Sequence, residues 1–194
     1  MDFIRQFFAD TASIANQINP EQVFRVVETL DQVRQQNGRL FILGVGGSAA
    51  NASHAVNDFR KLCNIEAYAP TDNISEITAR TNDEGWESVF SGWLLTSKLT
   101  KSDCLMILSV GGGNLEKQVS TNLCKAIDLA IDVRAKVIGI VGREDGYVAR
   151  KADIAILIPR VNPETITAHS ESFQQVIWHL LVSHPSLNMN KTKW

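Results

Sequence analysis

The chain is 194 residues long and 44% hydrophobic, enough apolar material for one sizeable core, and nothing in it demands a second domain. Nineteen Lys and Arg stand against 21 Asp and Glu, a formal net charge of -2, so no basic field gathers phosphate backbones and direct nucleic-acid binding is not expected. Cys63, Cys104 and Cys124 are odd in number, lack CxxC spacing and sit in apolar segments, which reads as small buried thiols in a reducing compartment rather than disulfides or a metal cluster. The first six residues carry an early acid and no run of 18 apolar residues occurs, so the expectation is a soluble cytoplasmic protein with no membrane partner.

In chain order, Phe3, Ile4, Phe7, Phe8, Ile14, Ala15 and Ile18 recur at helical spacing up to the Asn19-Pro20 break. A second helix begins at Pro20, carries Val23, Phe24, Val27, Leu30 and Val33 on one face and stops at Asn37-Gly38. These stripes are rich for one small domain to cover. Residues 1–38 are therefore expected to pack partly against another subunit, a purely intrachain layer being the alternative.

From Arg39 the pattern changes to strand, turn and helix, and residues 39–183 read as one α/β body. Arg39 to Leu43 is a strand, Gly44-Val45-Gly46-Gly47-Ser48 a glycine turn, and the helix that follows runs through Arg60, with Ser48 at its N-cap. Free backbone amides at such a turn suit an anion, although the same residues also fit a plain capped bend. As a dinucleotide fingerprint the turn is weak: Ala49 stands where a third glycine belongs, and Glu66 is the one candidate for the ribose acid. Neither glycine turn is followed by Gly-Lys-Ser/Thr, which excludes a Walker loop, and no nucleotide cofactor is expected.

Next come a short strand at Ile65 to Tyr68, a short helix from Asp72 to Thr78 and a turn at Asn82-Asp83-Glu84-Gly85. An apolar helix face follows, built from Trp86, Val89, Phe90, Trp93, Leu94 and Leu95. Asp103 to Ser109 is a buried strand, ending in a second glycine turn, Val110 to Asn114, before a helix from about Leu115 to Val133. Lys136 to Val141 and Asp153 to Ile158 are further strands, and Pro163 to Ser183 is the last long helix. Residues 184–194 read as a polar tail, with Trp194 a candidate interface residue. Continuous apolar strands alternating with helices predict an α/β, doubly wound, mainly parallel five-stranded sheet with helices on both faces and an N-terminal helical pair. Ligands of such sheets bind at the carboxyl ends of strands, where both glycine turns lie.

Two helices carry chemistry. His54 and Asp58 stand at i and i+4 on the first, and Glu171, Gln175 and His179 at i, i+4 and i+8 on the last, a stripe about 12 Å long. If the helices meet, two imidazoles and two carboxylates form a set suited to zinc or a similar divalent ion. The plain alternative is packed or surface histidines, the reading given to His169 and His184, which lie off the stripe.

Gly44-x-Gly46-Gly47-Ser48, His54-x-x-x-Asp58, Asn82-Asp83-x-Gly85, the Ser109 glycine loop and the Glu171 to His179 helix together resemble the sugar isomerase (SIS) domain family. The likeness is strongest to its phosphoheptose (sedoheptulose 7-phosphate) isomerase branch, across nearly the full length. The resemblance implies a flavodoxin-like SIS fold and an aldose-ketose isomerisation through an enediol. It places the acid/base pair at Asp58, where the family usually has Glu, and His179. It implies zinc held by His54, Asp58, Glu171 (usually Gln) and His179. Substrate and phosphate contacts would fall on Gly46, Gly47, Ser48, Asn82, Asp83, Ser109, Gly111, Gly112, Gly113 and Asn114. A homotetramer with active sites between subunits is also implied. The sequence departs from the family at Val45, usually Asn, at Ala168, usually acidic, and in the second loop, which lacks the usual Ser and Thr hydroxyls. Two non-catalytic relatives are the alternative, a factor associated with the replication initiator and a sugar-phosphate sensor. Retention of both Asp58 and His179 favours the enzyme.

Overall fold

Five apolar runs form the strands of one sheet in the computed structural model, which describes residues 1–191: β1 Leu40–Leu43, β2 Ala67–Tyr68, β3 Cys104–Ser109, β4 Lys136–Val141 and β5 Ile154–Leu157. Trp194 and its suggested interface role lie outside the described residues. The strands pair in the order β2-β1-β3-β4-β5, and every pair is parallel. Around them stand α1 Asp2–Gln17, α2 Pro20–Gln35, α3 Gly47–Cys63, α4 Ile74–Glu84, α5 Val89–Thr96, α6 Thr121–Val133, α7 Tyr147–Lys151 and α8 Ile166–Ser183.

The strands are apolar throughout because both faces are covered. Leu40, Ile42, Met106, Leu108, Ile138 and Ile156 point to the face packed by α2, α3 and α8. Phe41, Leu43, Leu105, Ile107, Val137 and Val141 point to the opposite face, packed by α5, α6 and α7. All three cysteines are buried free thiols. Among the described residues no helix is long and apolar enough to cross a membrane. The chain runs from β1 outward to β2, then returns past β1 to β3, so the strand order reverses between β1 and β3. A crevice opens at their carboxyl ends, the usual ligand position in a doubly wound sheet of this order.

Local chemistry moved two helix boundaries. The helix expected from Asp72 to Thr78 runs instead to Glu84, because Asn73 caps it through Glu76 N (3.3 Å) and Arg80 bridges Glu76 and Glu84 one turn either side. Asn82 and Asp83 are thus its last turn rather than a loop, and Gly85 (φ 89°) ends it. The helix expected from Leu115 begins only at Thr121. Asn114 Oδ1 accepts from Lys117 N (2.8 Å), an Asx turn that competes with the helix, and Asn114 and Val119 close a small antiparallel bridge. The five-residue α7 carried no sequence signal.

At the amino ends of β1 and β3, Asp103 is 2% exposed and saturated with donors. Its Oδ1 accepts from Arg39 N (2.9 Å) and Nε (3.1 Å), and its Oδ2 from Arg39 Nη2 (2.8 Å), Thr100 N (2.8 Å) and Thr100 Oγ1 (3.0 Å). Burial alone would raise its pKa, but these hydrogen bonds outweigh burial and hold the carboxyl below its ordinary value. A depressed carboxyl pKa adds stability that is present above the unfolded value of about 4 and is lost as pH falls through the folded one. Asp103→Ala is expected to cost about 3 kcal/mol, read by urea denaturation at neutral pH, with the gap to wild type closing below about pH 4.

Candidate active site

The turn after β1 is built for close approach. A Cβ on Gly44 would lie 2.3 Å from Ser48 O, and Gly46 adopts φ 64° as the N-cap of α3. Ser48 is therefore not the cap expected from the sequence but part of the first helical turn, buried at 2% exposure. Its Oγ accepts from Gln174 Nε2 (3.0 Å) on α8, which leaves its own hydroxyl hydrogen free to donate. Asn51 Nδ2 donates to Gln174 Oε1 and to Glu171 O, both at 2.9 Å. This buried polar seam fixes α3 against α8.

One turn further along α3 the seam gives way to three ionisable groups. Asp58 Oδ2 lies 3.5 Å from His54 Nε2 and 3.3 Å from His179 Nε2, so the two helices do meet. Trp178 Nε1 donates to the same oxygen (3.2 Å), and Asn57 Nδ2 donates to Oδ1 (3.0 Å). The indole stands edge-on to both imidazoles, with ring centroids 5.4 Å from His54 and 5.1 Å from His179. Asp58 is buried while both histidines are about half exposed, so the cluster opens to solvent on its imidazole side.

The donor set fits a divalent ion. One nitrogen from each histidine and one Asp58 oxygen lie within 4.8 Å of one another, three ligand atoms with an open side, as catalytic zinc sites have. Glu171, expected as a fourth ligand, is not in this group. Its carboxylate rests on Gly47, 2.6 Å from where a Cβ would stand, beside the first turn of α3. Gln175, on the same stripe, is exposed.

The second glycine turn follows β3 across the crevice. Gly112 (φ 70°) donates its amide to Ser109 Oγ (3.0 Å), and Gly112 O and Gly113 O accept from Val148 N (2.8 Å) and Tyr147 N (2.9 Å) at the start of α7. Gly111 and Asn114 flank this anchored pair. Asn82 and Asp83 are exposed at the end of α4, where Asn82 Nδ2 donates to Asp83 Oδ1 (2.7 Å). His169 is structural: it is 3% exposed, with Nδ1 3.0 Å from Thr165 Oγ1 and its ring stacked on Phe7 of α1. Sequence reasoning missed Trp178, Asn57, Asn51 and Gln174. Gln174 carried a usable signal, as an amide sharing a helix face with Ile177, Trp178 and Leu181.

No family model matches the chain. It is 31% identical over 152 residues to the phosphoheptose isomerase of Geotalea daltonii, an alignment covering 76% of this chain and 75% of the relative. The chain belongs to the phosphoheptose isomerase family. It is also 29% identical over 192 residues to the lincomycin biosynthesis protein LmbN of Streptomyces lincolnensis, covering 93% of this chain and 68% of that one. The phosphoheptose isomerase GmhA of Neisseria gonorrhoeae has the same fold, with a TM-score of 0.81 at 24% identity over 93% of this chain and 96% of that one. The two glycine turns lie at the carboxyl ends of β1 and β3, and the three ionisable groups stand further along α3 and α8, where the two helices pack together.

Trp178→Phe would keep an aromatic ring beside both imidazoles and remove the donor to Asp58. Zinc affinity, measured by competition with a chromophoric chelator, is expected to fall about 10-fold in this variant, with the fold checked by circular dichroism. Unchanged affinity would mean that the indole does not orient Asp58.

Proposed function

We propose that the chain is a phosphosugar aldose-ketose isomerase that converts sedoheptulose 7-phosphate to D-glycero-D-manno-heptose 7-phosphate in the cytoplasm. The observation that carries this reading is Asp58 set between His54 and His179 where α3 meets α8, in a chain 31% identical to a phosphoheptose isomerase. Asp58 takes a proton from C1 of the ketose, and the C–H electron pair becomes the C1=C2 bond as the C2 oxygen takes a proton from His179. The resulting enediol collapses when the C1 hydroxyl returns a proton to His179 and Asp58 delivers its proton to C2. Both side chains end as they began. Ser48, Asn82 and Asp83 are proposed to orient substrate hydroxyls, and the turns at Gly46–Gly47 and Ser109–Asn114 to face the phosphate end.

A divalent ion, zinc being the first choice, would be held by His54, Asp58 and His179 and would supply Lewis-acid stabilisation of charge developing on the sugar oxygens. Glu171 joins this proposal as a fourth ligand only through a change of rotamer. The non-catalytic alternatives, a sensor or an initiator-associated factor, need the crevice but give no reason for two imidazoles to converge on one carboxylate.

Assembly into a homotetramer is supported by unusual apolar exposure. Phe3, Ile4 and Phe8 on α1, Phe24 on α2, and Val176 and Leu180 on α8 are all open to solvent. A cavity of about 780 Å³ between the α1–α2 corner and α8 adjoins them. Val176 and Leu180 flank His179 along α8, so a neighbouring subunit on this face would wall the active site.

Purified protein is expected to turn over sedoheptulose 7-phosphate, and Asp58→Ala or His179→Ala to lower kcat by about 1,000-fold while circular dichroism stays unchanged. Absence of turnover across a panel of phosphosugars, with zinc supplied, would refute the isomerase. Light scattering after gel filtration is expected to give a tetramer, and Phe8→Glu a smaller species.

A further inference from the structure

The second glycine turn offers few of the hydroxyls that would hold a phosphate. Val110, Gly111, Gly112 and Gly113 bring no side-chain donor, and Ser109, whose Oγ accepts from Gly112 N, leaves the stretch a single hydroxyl hydrogen to offer. Beside this turn, between the loops that follow β3 and β4, lies a cavity of about 120 Å³ lined by Gly111, Gly113, Asn114, Lys117, Arg143 and Asp145. By liquid volume that is room for about four waters at ~30 Å³ each, the scale of a tetrahedral oxyanion.

The two cations at this cavity are presented differently, Lys117 by a closed backbone loop and Arg143 by an ion pair. Lys117 sits on the loop closed by Asn114 N to Val119 O (2.8 Å) and Val119 N to Asn114 O (3.0 Å), and its own amide donates to Asn114 Oδ1. Among the described residues its ammonium forms no ion pair. Arg143 is clamped by Asp145, Nε to Oδ1 at 2.9 Å and Nη2 to Oδ2 at 2.7 Å. That clamp spends both Asp145 oxygens and leaves the Nη1 hydrogens and one Nη2 hydrogen unspent. The carboxylate is thereby neutralised, and the net charge facing the cavity is positive.

We infer that Lys117 and Arg143 seat the phosphate of the sugar in this cavity, replacing by charge the hydroxyl grip that the loop lacks. The inference rests on the phosphosugar reading above and assigns its substrate specificity to two residues outside the proton-transfer machinery. A Cβ on Gly111 would meet nothing within 4 Å, so this side of the turn is open to an incoming group.

The test uses the intact chain, titrated calorimetrically with inorganic phosphate and assayed with sedoheptulose 7-phosphate. Lys117→Ala and Arg143→Ala are each expected to weaken phosphate binding and raise KM by about 10-fold, with kcat changing less than KM, and Lys117→Arg to recover most of the loss. Arg143→Ala is repeated with Asp145→Asn, so that an exposed carboxylate cannot imitate the effect; the double variant is expected to bind as weakly. Wild-type phosphate affinity and KM in the alanine variants, or no phosphate binding by wild type, would overturn the seat. Phosphate binding that depends on Lys117 and Arg143 without turnover of any phosphosugar would overturn the isomerase and leave the seat standing.

Discussion

The site depends on how α3 and α8 are phased against each other, and that phase is set by one buried amide. Gln174 is fully buried, so both ends of its side chain must find partners within the protein. Ser48 and Asn51 supply them, and only one axial register of the two helices puts both in reach. Sliding α8 by a single turn, 5.4 Å, would orphan the amide and carry His179 away from Asp58. The apolar residues around the seam tolerate several registers; the amide does not.

The environment of Asp58 follows from the same phase. Its carboxylate receives an indole N–H and a side-chain amide N–H and faces two imidazoles, so its orientation is fixed from four sides. A short acid suits this arrangement, because Asp keeps the carboxylate close to α3, within reach of Trp178 on α8. In this chain the acid and its orienting donor form a matched pair.

Much of this was legible in the sequence, and what was not has a common cause. The five strands, the two glycine turns and the helices bearing His54, Asp58 and His179 were read from apolar runs and spacing, because burial on both faces leaves an uninterrupted pattern. The role of Ser48 was misread because a cap and a first-turn residue differ only in backbone dihedrals, which Gly46 decides by its positive φ. The delayed start of α6 turned on a local Asx bond from Asn114, which outcompetes a helix-compatible sequence. Trp178 was not singled out from the sequence, because its ring packs in the core like any apolar side chain of α8. Its N–H bond to a carboxylate 120 positions away is a tertiary fact that no local pattern encodes. Glu171 shared a helical stripe with His179 yet turned to the Gly47 surface, since a stripe fixes direction but not rotamer.

Helix α1 buries only Asp10 and Ile14 of its 16 residues, while Phe3, Ile4 and Phe8 face outward. A helix of that length is marginal on its own, and so little burial against its own body gives it little further reason to persist. Its order is therefore tied to whatever covers the outward face. If the cover is another copy of the chain, local melting at the amino end becomes a function of protein concentration. A dilute and a concentrated solution would then differ in foldedness as well as in assembly, and the first residues would report that difference before any change reached the sheet.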